Sequence, residues 1–251
     1  MSLEASRLPH EEVFVSTSHR MAAISWSRNS RRNAFNSSLA AVFRERLAEV
    51  THEDGIAVVI LRGSGGMFCS GWDLTELRAA RGNPESAQRI IRAGRDCLDQ
   101  IMRCPAIVVS VVEGVAMGFG VSLLCASDIV ILTSSARVAL PEIKHGIVPS
   151  SVLLDLANRV GASRALRWCL SGDDVGHLEL LSSGLVSEVL PIDSFEEQLT
   201  LRLAEFGMLD SRSVRVSKNL MFSSPGFRAA GQPHRGDEFA ISQIGAMTPA
   251  P

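Results

Sequence analysis

Residues 113–128 read Glu-Gly-Val-Ala-Met-Gly-Phe-Gly-Val-Ser-Leu-Leu-Cys-Ala-Ser-Asp, and this stretch decides the fold. A β-branched run over 107–112 precedes it. Gly114, Gly118 and Gly120 punctuate a turn, and an apolar helical run follows over 121–125. The pattern predicts a buried strand, a tight glycine turn, and a helix whose first amides point back at the turn. Such amides have no partner inside the helix, so they form a seat for negative charge. The candidate anchor is the amide of Phe119. The same glycines would also serve plain close packing of strand on helix.

Outward from this stretch, strands and helices alternate. Residues 13–17 and 21–26 are β-like runs separated by Ser18, His19 and Arg20, which predicts a hairpin. Residues 27–33 form a polar, cationic loop. Asn36 or Ser37 can cap a helix running to about Val50, with Leu39, Val42, Phe43, Leu47 and Val50 on one face. Residues 57–62 are a buried-type strand that runs into a second glycine turn over 63–74. Asp73 and Glu76 have capping-box spacing for the next helix. A loop over 81–86 and a helix over about 87–102 follow, stopped by Cys104 and Pro105. Strand, glycine turn and helix thus occur twice, at 57–74 and 107–125. This argues for an α/β layered fold with the turns along one edge. Helices are expected over 151–160, 163–171, 178–185, 195–206 and 211–222, with a strand over 186–190.

The chain has 251 residues, 46% hydrophobic and 21% charged. One domain with a sizeable core is expected over 1–223, followed by a Gly- and Pro-rich tail over 224–251. A net charge of −2 gives no broad basic footprint for nucleic acid. The five cysteines form no CxxC pair and no metal spacing with histidine, and read as reduced packing thiols of a cytoplasmic protein. No apolar run reaches membrane-spanning length, and the first twelve residues lack the apolar centre of a secretory signal, so no membrane partner is expected. No GxSxG elbow, P-loop or HExxH occurs.

Two glycine turns on one cleft have a chemical use. Each can offer one main-chain N–H to the same oxygen, and two such donors stabilise an oxyanion developing from a thioester carbonyl. Losing one donor in such a site costs roughly two to three powers of ten in rate.

Four segments carry a family resemblance: SRNSRRNAF (27–35), GMFCSGWDL (66–74), the 113–128 stretch, and LPEIKHGIVP (140–149). Together, in this order, they resemble the enoyl-CoA hydratase/isomerase, or crotonase, superfamily over about residues 13–222. The resemblance implies a spiral of stacked ββα units with a helical C-terminal region, assembled as a homotrimer or hexamer. It implies acyl-CoA thioester substrates, with coenzyme A as part of the substrate and no separate cofactor or metal. It makes the amides of Trp72 and Phe119 the oxyanion donors, although both residues also suit core packing. Along the substrate and its CoA it places Arg28, Arg31, Arg32, Ala34, Ser70, Asp73, Leu74 and Gly118. The three arginines suit phosphates through their forked donors, and would equally suit a solvated loop.

The resemblance assigns catalysis to Glu142, after Pro141. The family's second acid/base position falls on Ser122. Addition of water to a double bond is served by two carboxylates, and a hydroxyl is a poor acid or base near neutral pH. A single glutamate suffices to move a proton within one substrate, so isomerisation of 3-enoyl-CoA to 2-enoyl-CoA is favoured. The alternatives are a hydratase with a weakened second position and a catalytically weak CoA-binding or assembly paralogue. The apolar residues around Glu142 predict a raised pKa, while its place after proline also fits an exposed first-turn carboxylate. His145 could titrate near neutrality but matches no catalytic motif. The tail lacks the acidic-glycine-aromatic pattern with which the family lids its CoA.

Overall fold

The computed structural model describes residues 12–52, 55–223 and 235–246. The expected hairpin forms β1 (Val13–Ser18) and β2 (Met21–Trp26), turning at His19 with a positive φ of 54°. Then come β3 (Val58–Gly63), β4 (Ile107–Val112), the short β5 (Val115–Met117), β6 (Ile129–Thr133), the short β7 (Arg137–Ala139) and β8 (Glu188–Leu190). The main sheet runs β1-β2-β3-β4-β6-β8, parallel beyond the hairpin. Strand side chains alternate between two apolar layers, as a period of two requires. Val59, Leu61 and Val108 face one core with Trp26 and Phe43, while Val58, Ile60, Val109 and Val111 face the other. Helix α8 (Phe195–Gly207) covers that second face through Phe195, Leu199 and Leu203.

A smaller parallel layer sits at the ends of these strands. Phe35, after β2, bridges to Trp72, Cys69, after β3, bridges to Ala116, and β5 pairs with β7. Each unit therefore runs from a main-sheet strand to a short partner in the second layer and then to a helix. The units close with α1 (Ser37–His52), α2 (Leu74–Ala79) continuing into α3 (Pro84–Arg103), α4 (Phe119–Ala126), and α5 (Ser150–Val160). The short strand β5 replaces part of the expected turn, because Val115 and Ala116 pair in register with Arg137 and Val138. Helix α1 is capped by the Asn36 side chain, which accepts from the Leu39 amide at 2.8 Å. Helix α3 opens at Pro84, inside the expected 81–86 loop, because the Asn83 side chain caps it and proline suits the first turn.

Helices α6 (Ala162–Ser171), α7 (His177–Ser183) and α9 (Ser211–Ser223) complete the described chain up to 223. Residues 235–246 form α10 (Arg235–Ala246), which packs on α3 and α5. Pro225, Pro233, Pro249 and Pro251 all fall outside it, so none breaks its hydrogen bonds. The remainder of the 224–251 tail, and with it most of the stretch in which the lid pattern is missing, lies outside the described residues. Among the described residues no helix is long and apolar enough to cross a membrane.

Candidate active site

The register of the second layer builds the site. Cys69 donates to Val115 O and accepts from Met117 N, both at 2.9 Å. This pairing carries Gly71 beside Gly118: a Cβ built on Gly118 would lie 3.6 Å from the Gly71 Cα. Gly118 has φ 51° and ψ −116°, a combination that glycine alone adopts without strain. Gly120 passes so close to the Cys69 carbonyl that a Cβ there would lie 2.6 Å from its oxygen. The two glycine turns are thus neighbours, as the sequence pattern predicts.

Trp72 and Phe119 follow the two turns. Gly71 O accepts from Phe35 N at 2.9 Å and Asp73 N donates to Phe35 O at 2.6 Å, so the Trp72 amide between them faces the other way. Among the described residues neither the Trp72 nor the Phe119 amide donates to a main-chain carbonyl. The two rings meet edge to face with centroids 5.0 Å apart.

Glu142 opens the 3-10 turn Pro141–His145 after β7. Its carboxylate reaches Gly118, where a built Cβ would come to 2.5 Å from Oε1. Oε2 is buried and has no hydrogen-bond partner among the described residues. Burial raises the Glu142 pKa above the ordinary carboxylate range, and its own main-chain hydrogen bond only partly opposes this. The exposed first-turn reading of Glu142 is thereby set aside. Cys169 on α6 lies near enough for the Glu142 charge to help push its thiol up to about 12, although burial is the larger cause. Ser122 is buried on α4, one turn beyond Gly118.

The residues assigned to CoA divide in two. Arg28 is committed within the fold: it donates to Ala34 O at 2.6 Å and to Asp73 Oδ2 at 2.9 Å, and its main-chain amide donates to Asn33 Oδ1. Both members of the Arg28–Asp73 pair are nearly buried, with side chains 11% and 10% exposed. Burial works against the charge on Asp73, yet the Arg28 guanidinium and the Thr75 amide and hydroxyl hold its carboxyl below the usual range. Arg31, Arg32 and Leu74 are exposed on the surface, and Ala34 is buried. Ser70 is half-buried, its amide donating to Arg32 O and its hydroxyl to Arg31 O. The side chain of His145 is outside the described residues.

Three contributors escaped the sequence reading. The capping box does not close: Asp73 accepts from Thr75 N at 2.8 Å, but Glu76 does not return to the Asp73 amide, which is taken by Phe35. Glu76 instead accepts from the Trp72 indole at 2.6 Å and from the Ser37 amide. Its position four residues after Trp72 was the available signal. Phe35 packs on Phe119 with centroids 5.2 Å apart. Gly94, on the buried face of α3, stands against both the Trp72 and Phe119 rings.

A parallel sheet whose units end in neighbouring glycine turns, with a buried carboxylate beside them, is the crotonase type of fold. An enoyl-CoA hydratase/isomerase from Xanthobacter autotrophicus Py2 superposes on it with a TM-score of 0.84. That match covers 95% of this chain and 89% of the other at 24% identity, so it bears on the fold alone. The family model for enoyl-CoA hydratase/isomerase matches residues 16–224, and the chain belongs to that family. The 2,3-dehydroadipyl-CoA hydratase of Escherichia coli (strain K12) is 30% identical over 212 residues, covering 81% of this chain and 80% of that protein. The mitochondrial enoyl-CoA hydratase domain-containing protein 3 of Rattus norvegicus is 28% identical over 184 residues, 73% of this chain. The chain spans 61% of the length of that rat protein.

Proposed function

We propose that the chain is an acyl-CoA-processing enzyme that holds a thioester enolate between the amides of Trp72 and Phe119 and moves a proton with Glu142. The observation that carries this reading is the buried, unpartnered Glu142 Oε2 beside the Gly118 turn. A carboxylate with a raised pKa both accepts and returns a proton near neutral pH. Ser122 supplies no second carboxylate, so isomerisation of 3-enoyl-CoA to 2-enoyl-CoA is the preferred reaction. Hydration of 2-enoyl-CoA is the second reading, favoured by the name of the Escherichia coli relative. The deciding experiment compares both rates on esters of matched chain length. Isomerisation faster than hydration supports the first reading, and the reverse order replaces it with the second. Absence of either reaction, with CoA esters still bound, identifies a binding paralogue.

The five unpaired thiols fit a reducing compartment and support the cytoplasm, whereas the rat relative is named as a mitochondrial protein. Assembly into a trimer or hexamer is part of the same proposal. Leu166 and Leu170 on α6 and Leu178 on α7 are exposed, and exposed apolar side chains at helical spacing favour association. Light scattering tests this, and a monomer mass at working concentration removes it.

A further inference from the structure

Trp72 and Phe119 contribute more than amides to the site, because both carry large rings. An amide nitrogen and its Cβ are two bonds apart, so a carbonyl held by these amides has both side chains as near neighbours. The rings lock edge to face, with an interplanar angle of 86°. Phe119 is backed by Phe35, which packs in turn on Trp26 and Phe43. The Trp72 indole is held at its nitrogen by Glu76.

Helix α3 stands directly against both rings. A Cβ built on Gly94 of α3 would lie 3.1 Å from both Phe119 Cε2 and Trp72 Cζ3. A side chain there would press on both rings by a few tenths of an ångström. Helix α3 is itself fixed at the next residue: Arg95 pairs with Asp155 of α5 at 3.1 Å and with Asp237 of α10 at 3.0 Å. All three side chains are nearly buried, 9–14% exposed. Moving the rings aside would mean shifting a packed, ion-paired helix, which a close-packed interior resists.

We propose that the Trp72–Phe119 pair, backed by Gly94, is the acyl-length gate of this site, admitting CoA esters of short, compact acyl groups and excluding long chains. The gate presupposes the oxyanion assignment above, and the test separates the two. Free CoA, crotonyl-CoA and decanoyl-CoA are titrated calorimetrically into the wild type, Phe119→Ala, Trp72→Ala and Gly94→Ala. The wild type should bind crotonyl-CoA at least about tenfold more tightly than decanoyl-CoA, within the range that pocket volume sets. Phe119→Ala or Trp72→Ala should raise decanoyl-CoA affinity by about one to two powers of ten, with free CoA unchanged. Phe119→Leu, a milder truncation, gives the same direction if an alanine variant fails to fold. Gly94→Ala leaves both amides in place and presses on the rings from behind, so it should weaken crotonyl-CoA while sparing free CoA. Equal wild-type affinity for the two esters overturns the gate and leaves the acyl-CoA reading intact, as does decanoyl-CoA affinity unmoved by every truncation. If neither CoA nor any ester binds the wild type, the acyl-CoA reading falls and the gate with it.

Discussion

Glu142 touches Gly118: the carboxylate oxygen Oε1 lies 2.5 Å from where a Cβ on that glycine would be. The contact joins the end of β7 to the turn that starts α4, and it works only because residue 118 has no side chain. Gly118 also has φ 51° and ψ −116°, a sparsely populated region where an alanine loses roughly 1–3 kcal/mol. Gly118→Ala should lower the unfolding free energy by about that amount or more and displace Glu142. A displacement on the order of 1 Å can cost about a hundredfold in rate. Urea melts and turnover of a 3-enoyl-CoA measured side by side check both effects. Unchanged turnover would remove Glu142 from the chemistry.

Glu142 and Asp73 make stability depend on pH in opposite directions. The Glu142 pKa is raised by burial, so over the window between its unfolded and folded values the native state binds the proton that the unfolded state has lost. Stability therefore falls as pH rises through that window. The Asp73 pKa is lowered, so its contribution is present above the ordinary carboxylate value and is lost as pH falls through the folded one. Urea midpoints from about pH 4 to pH 7 should fall less with rising pH in Glu142→Gln than in the wild type. Parallel curves would mean that Glu142 ionises equally easily in both states.

Much of this was legible because backbone rules wrote it into the sequence. The glycine at 118, the β-branched run before it and the apolar run after it announce strand, turn and helix locally. The proline before Glu142 marks the turn that carries the carboxylate. The illegible parts depend on contacts distant in sequence. Nothing near Arg28 shows that its guanidinium is consumed by Asp73, forty-five residues away. Trp72, four residues before Glu76, hints at their contact, but nothing near Glu76 shows that its carboxylate also accepts from the Ser37 amide at the start of α1. The helix at 235–246 was hidden by the prolines and glycines of its surroundings, although its own stretch, Arg235–Ala246, contains no proline.

The division among the arginines predicts two different phenotypes. Arg31 and Arg32 are exposed, so their replacement by alanine should weaken CoA binding, most at low salt, without unfolding the chain. Arg28→Ala instead strands the nearly buried Asp73, which should cost about 3 kcal/mol of stability. Calorimetric CoA titrations at two salt concentrations, paired with melts, separate these outcomes. CoA affinity indifferent both to salt and to the Arg31→Ala, Arg32→Ala double variant would remove this loop from the binding site.

In the proposed function, Glu142 and Ser122 together decide the choice of reaction. Glu142→Gln keeps the shape of the side chain and removes its capacity to carry a proton. Positioned acid–base catalysis is worth roughly two to four powers of ten, so isomerase turnover should fall on that scale while CoA esters still bind. Ser122 is buried one turn beyond the Phe119 amide, where a carboxylate could hold and activate water. Ser122→Glu should therefore raise hydration of 2-enoyl-CoA relative to isomerisation. The new carboxylate also brings a charge into an apolar site, so its stability must be measured alongside. A folded Ser122→Glu variant whose ratio of hydration to isomerisation equals that of the wild type would show that this position does not select the reaction. Full turnover in Glu142→Gln would assign the proton transfer elsewhere. If the wild type hydrates 2-enoyl-CoA much faster than it isomerises 3-enoyl-CoA, Glu142 retains its role, the reaction becomes hydration, and Ser122 is compatible with holding the water after all.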